Sequence, residues 1–213
     1  VNLFPAMSDF QPLNEPIAAV IVGLLLSLSA GVRTMLPLLA VNLLAFYHVI
    51  ALPKDMDWLG GEPTLIILIA ATITETVVHF IPAAGTALKA CATPLAFVAG
   101  TLLMAVPLSG HNPLYQWILA AVIGGGAATL MHLGVTGARA MTEPANLASL
   151  GVFGIVWNIG EFLFSIVLAL LSALCVVAGW AVGVICLLGM LTLVSIVAVK
   201  GIARLTRPRP AMS

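Results

Sequence analysis

The chain alternates long apolar runs with short polar breaks, a pattern that predicts helices embedded in a membrane. A helix crossing the hydrocarbon core takes about 20 apolar residues, and its backbone must be helical because no water is present to satisfy open amide groups. Ile17 to Leu52 is 36 residues with one charge, Arg33. As a single helix it would be roughly 54 Å long, against a core of about 30 Å, so it must break. The break is expected at Ser29-Ala30-Gly31-Val32-Arg33-Thr34, with Thr34 as N-cap and Pro37 in the first turn of the next helix. Either a hairpin of two short spans results, or one span followed by a helix lying in the interface.

Beyond a polar loop holding Lys54, Asp55, Asp57 and Glu62, spans are expected over Thr64 to Ile81, closed by Pro82, and over Pro94 to Leu108, kinked at Pro94 if it starts earlier. Ser109 to Pro113 reads as a turn. Leu114 to Arg139 is a long span interrupted by Gly124, Gly125 and Gly126. Thr142 to Asn146 reads as another turn, and Leu147 to Val199, charged only at Glu161, accommodates two spans turning near Gly179 and Trp180. The expected fold is an all-α, polytopic membrane bundle of six or seven transmembrane helices over 17–199, between an N-terminal tail, 1–16, and a basic C-terminal tail, 200–213.

Orientation follows from the basic residues. Lys200, Arg204, Arg207 and Arg209 have no acidic neighbour in the tail, which places the C-terminus on the cytoplasmic side. Counting back puts Lys89 and Arg139 on the same side and the acidic loop on the other. Val1 to Glu15 has no Lys or Arg before the first apolar run, so a secretory signal is not expected.

Composition fixes the solvent. Only 16 of 213 residues are charged, eight of each sign, where a soluble chain has about 25%. With 62% apolar residues and a mean hydropathy of +1.17, a water-soluble monomer is excluded. A net charge of zero also removes the basic face that nucleic-acid binding needs. Cys91, Cys175 and Cys186 are odd in number and read as small apolar residues, with neither a disulfide framework nor a zinc cluster.

Candidate chemistry lies in polar stripes on the apolar helices. Thr72, Glu75, Thr76 and His79 share one face of their span, with Glu75 and His79 one turn apart. Gly125, Thr129, His132, Thr136 and Arg139 form a second stripe, and Gly154, Asn158, Glu161, Ser165 and Ser172 a third. Arg33, one turn after Ser29, adds a fourth contribution. Charges at the middle of a span cost about 2.5 to 3.5 kcal/mol each, so Arg33, Glu75, Arg139 and Glu161 left in lipid would cost on the order of 10 kcal/mol. They must face one another or water. Two readings follow: closed ion pairs, Arg33 with Glu75 and Arg139 with Glu161, or a polar cavity in which Glu75 and His79 bind a proton or cation. The candidate substrate- or ion-binding residues are therefore Glu75, His79, Arg33, Glu161, Asn158, His132 and Arg139.

Other chemistries lack their residues. There is no His-Glu-x-x-His run, no Glu-x-x-His pair of a di-iron bundle and no Gly-x-Ser-x-Gly elbow, and the glycine triplet is not followed by the Lys-Ser/Thr of a phosphate loop. Neither metal, cofactor nor enzymatic activity is expected. Trp58, Trp117, Trp157 and Trp180 read as interface anchors, and His48 and His111 as solvated residues at span ends or in loops.

Gly31-Val32-Arg33-Thr34-Met35 is echoed by Gly137-Ala138-Arg139-Ala140-Met141, which raises a duplication with halves 17–108 and 114–199. The chain also resembles a family of bacterial membrane proteins carrying domain of unknown function 4126. The resemblance rests on Ser29-Ala30-Gly31-Val32-Arg33 followed by Leu36-Pro37-Leu38-Leu39-Ala40, on Glu75 seven residues before Pro82, on Gly100, and on the glycine-rich span leading to His132 and Arg139. It covers most of residues 17–170 and implies a divergent member with fewer charged positions; no activity comes with membership. The expected function is a small transporter or channel using the intramembrane Glu/His/Arg site. The alternative is a non-catalytic subunit or assembly factor of a larger membrane complex. Membrane lipid is the expected partner in both, with a homo-oligomer or larger complex as the candidate assembly.

Overall fold

A computed structural model describes residues 16–50, 52–79, 85–109, 112–178 and 188, and among these the protein is all-helical. Seven α-helices follow in chain order: α1 Pro16–Val32, α2 Met35–Phe46, α3 Glu62–His79, α4 Gly85–Ala105, α5 Pro113–Leu119, α6 Gly126–Ala148 and α7 Val152–Ala178. A 3-10 helix, Lys54–Gly60, leads into α3, and a π-helical segment, Ala120–Gly125, joins α5 to α6.

Helix α1 is the hub, packing against α4, α6 and α7, while α2 packs chiefly on α3. Leu25 of α1, Leu103 of α4 and Leu168 of α7 are fully buried in the resulting core. Serine hydroxyls tie the hub to its neighbours. Ser27 Oγ donates to the Gly100 carbonyl at 2.9 Å, and Ser29 Oγ to the Ser165 carbonyl at 2.9 Å. Such hydrogen bonds suit helix association in a medium as apolar as the side chains themselves.

Gly124 and Gly125 of the run predicted to interrupt Leu114 to Arg139 end the π-helical segment, and Gly126 opens α6. Gly124 lies against α4 so closely that a Cβ on its neighbour Gly100 would stand 2.6 Å from the Gly124 carbonyl oxygen. Backbone-to-backbone approach of this kind is available only to glycine. Asn112 opens α5, its Oδ1 accepting the Leu114 N–H at 3.0 Å with Pro113 in the first turn.

The expectation of six or seven membrane-spanning helices is overturned. Among the described residues, two helices are long and apolar enough to cross, Pro113–Thr142 and Val152–Ser172. A third is reached only if Lys54–Gly60 and Glu62–Val78, bent by 56° at their junction, count as one span. Ala19–Val32, Met35–Phe46 and Cys91–Ala105 are apolar but shorter. The ruler of about 20 residues counted apolar length along the chain, whereas the helices stop at local breaks. The second predicted span of 147–199, its turn near Gly179 and Trp180, and the basic tail lie outside the described residues.

A second correction concerns Thr142 to Asn146, predicted as a turn. Helix α6 runs through it to Ala148 with Pro144 inside, and Thr142 Oγ1 bonds back to the Arg139 carbonyl at 3.0 Å. The chain turns later. Gly151 N–H donates to the Asn146 carbonyl at 2.9 Å and Leu150 N–H to the Leu147 carbonyl at 3.2 Å, the double closure of a Schellman turn.

Candidate functional site

The break predicted in the first apolar run falls at Arg33 and Thr34, between α1 and α2. Thr34 occupies the N-cap position, but its side chain makes no capping bond. Glu75 of α3 does that work instead. Its Oε1 accepts the Thr34 N–H at 2.9 Å and its Oε2 the Met35 N–H at 3.1 Å. A carboxylate at a helix N-terminus meets both the open N–H groups and the positive end of the dipole. The same two oxygens therefore hold α3 against the start of α2.

Arg33 is buried, 2% exposed, in the break itself. Its guanidinium sits over the Phe162 ring, with Cζ 5.9 Å from the ring centroid. Nη2 donates a long bond of 3.4 Å to the Asn158 carbonyl, while Nε and Nη1 have no hydrogen-bond partner. Glu75 and Glu161 are the acids within its electrostatic reach, and Arg139 is a like charge nearby.

The second pair is closed. Arg139 Nε donates to Glu161 Oε1 at 2.7 Å and Nη2 to Glu161 Oε2, a two-pronged ion pair between α6 and α7. Glu161 is 7% exposed and Arg139 26%. The side chain of Asn158 also accepts from Arg139 Nη2, at 2.9 Å, and Trp157 Nε1 donates to Glu161 Oε1 at 2.5 Å. Trp157, Asn158 and Glu161 share a face because they lie four and three residues apart on α7. Asn158 thus touches both arginines, Arg33 through its backbone and Arg139 through its amide.

Of the candidate residues, the structure brings Arg33, Glu75, Asn158, Arg139 and Glu161 into one polar network, with His132 at its edge. His132 of α6 meets the backbone carbonyl of Gly31 and lies within electrostatic reach of Arg139, Glu75 and Glu161. His79 is on the last turn of α3, and its side chain lies outside the described residues. The stripe hydroxyls play a different part. Thr72, Thr76 and Thr129 each bond a carbonyl four residues back on their own helix, so their polarity is satisfied locally.

Sequence reasoning missed two partners. Trp157, read as an interface anchor, also donates to Glu161; its four-residue spacing to Glu161 was the available signal. The backbone N–H groups of Thr34 and Met35 leave no trace in residue types. Among the described residues, no group of three or more His, Cys, Asp or Glu side chains is placed to hold a metal ion.

No curated protein and no solved structure matches the chain. The family described as a domain of unknown function, DUF4126, matches over residues 20–199, the greater part of the sequence, and the chain belongs to that family.

Proposed function

We propose that this membrane protein is a small transporter or channel whose working part is the polar network of Arg33, Glu75, Asn158, Arg139, Glu161 and His132. The observation that carries the reading is the helix break at Arg33 and Thr34, met there by an acid from a third helix. Irregular backbone at membrane depth is tolerated where it is enclosed in protein or lines a polar cavity, and solute sites of secondary transporters are built from such interrupted helices. Ion pairing by itself needs no interruption, since Arg139 and Glu161 meet across two continuous helices. The π-helical segment Ala120–Gly125 adds a second irregular stretch beside α4. The reading involves no covalent chemistry, and it places the chain in a bacterial inner membrane with the basic tail on the cytoplasmic side.

Reconstitution tests it. The purified chain in proteoliposomes, loaded with a pH-sensitive dye and assayed under proton, cation and small-anion gradients, is expected to dissipate at least one gradient. Folded Glu75→Gln is expected to lose that flux. Absence of flux under every gradient would remove the reading. Recovery from native membranes in fixed ratio with other membrane proteins, again without flux, would move the assignment to a subunit of a larger complex.

A further inference from the structure

We infer that Arg33 is the receptor for the carboxylate of a small monovalent acid, an inference that rests on reading the helix break as a solute site. A guanidinium does not lose its charge in a protein, and Nε and Nη1 together carry three of its five N–H groups. In Arg33 these have no acceptor although the side chain is 2% exposed. The neighbouring acids Glu75 and Glu161 act on Arg33 through their charge without accepting from Nε or Nη1; Glu161 accepts from Arg139 and Trp157, and Glu75 from the N–H groups of Thr34 and Met35. Phe162 supplies an apolar ring 5.9 Å from Arg33 Cζ and no acceptor, while the N–H groups lie in the plane of the guanidinium itself. Nε and Nη1 lie on different edges of the fork, each completed by Nη2; with one Nη2 N–H spent on the long bond to Asn158, the second remains to join Nε or Nη1 in a two-pronged pair with a coplanar carboxylate.

Charge selects the valence. Arg33 and Arg139 balance Glu75 and Glu161, so a monovalent anion leaves one net negative charge in the network and a divalent one leaves two. A carboxylate can reach the site as a water-soluble acid or as the head of a fatty acid already in the bilayer, and the chemistry of recognition is the same.

The test is thermal unfolding of the purified full chain in detergent with acetate, decanoate, chloride or acetamide at equal ionic strength. A carboxylate at several times its Kd is expected to raise Tm by about 2–4 °C for a chain of this size, with chloride and neutral acetamide giving no comparable rise. A rise with acetate identifies an aqueous acid, and a rise with decanoate alone identifies a lipid-borne one. Arg33→Met is expected to abolish the rise. Arg33→Lys, which retains the charge and loses the fork, is expected to weaken binding about tenfold and serves where Arg33→Met does not fold. Equal shifts for carboxylate, chloride and acetamide, or a carboxylate shift unchanged in either variant, would overturn the inference. Carboxylate binding with no flux of any solute in proteoliposomes would leave the Arg33 site standing and remove the transport reading; flux of another solute with no carboxylate binding would do the reverse.

Discussion

Glu75 caps Thr34: a carboxylate on α3 accepts the N–H of a residue 41 positions earlier, at 2.9 Å, and that of Met35 beside it. A capping side chain contributes about 0.5–2 kcal/mol, and a negative charge at a helix N-terminus about 0.3–1 kcal/mol more. Glu75→Gln keeps one acceptor oxygen and is expected to cost about 1 kcal/mol in detergent unfolding. Glu75→Ala removes both and is expected to cost about 2 kcal/mol or more. Full stability in the alanine variant would mean that the bonds contribute nothing to holding α2. Flux separates this structural role from the proposed one, because the folded Gln variant is expected to be stable enough to assay and inactive.

Leu150 closes α6 in a conformation that suits glycine. It has φ of 53°, is 95% exposed and occupies the position where a Schellman turn usually carries Gly. The left-handed conformation costs a residue with a Cβ about 1–2 kcal/mol, partly offset by the greater freedom glycine loses on folding. Leu150→Gly is therefore expected to stabilise by up to about 1 kcal/mol, and Leu150→Pro, which deletes the N–H bonded to Leu147 and demands negative φ, to destabilise. Thermal unfolding of the two variants should move Tm in opposite directions.

The two copies of the Gly-x-Arg-x-Met echo predict opposite outcomes on the same substitution. A Cβ on Gly31 would lie 2.5 Å from the Ala128 carbonyl oxygen and from Met131 Cβ, whereas one on Gly137 would meet nothing within 4 Å. Gly31→Ala is expected to cost about 1–3 kcal/mol by forcing α1 away from α6. Gly137→Ala is expected to gain about 0.5–1 kcal/mol through helix propensity. The same loss at both positions would show that packing at Gly31 does not decide its identity.

What was legible in the sequence follows from the kind of signal each feature leaves. The helix break at Arg33 was readable because a 36-residue run with one charge cannot form one span, and the third stripe because Asn158, Glu161, Ser165 and Ser172 recur at helical spacing; the structure buries all four. Charge balance suggested pairs between the two arginines and the two acids, and Arg139–Glu161 is one that the structure closes. The number of spans was not readable, because apolar length does not show where a helix stops, and Pro144 read as a turn although α6 continues through it. The N–H partners of Glu75 were not readable, because residue types reveal charges, while the open N–H groups of a helix start belong to the backbone and are invisible until the break is placed.

The Arg139–Glu161 pair offers a test in which the two partners are not equivalent. Arg139→Met strands a carboxylate that is 7% exposed, and breaking a buried pair by removing one partner costs about 3–5 kcal/mol. Glu161→Gln is expected to cost less, since the amide oxygen still accepts from Trp157 and the 26% exposed Arg139 can extend its head group toward water. The double variant Arg139→Met/Glu161→Gln leaves no stranded charge and is expected within about 2 kcal/mol of the parent, well short of the sum of the single losses. Urea or SDS unfolding of the four proteins in one detergent gives the coupling. If the single losses simply add, the pair is not energetically linked, and α6 and α7 are held together by apolar packing and the Asn158 bond rather than by the ion pair.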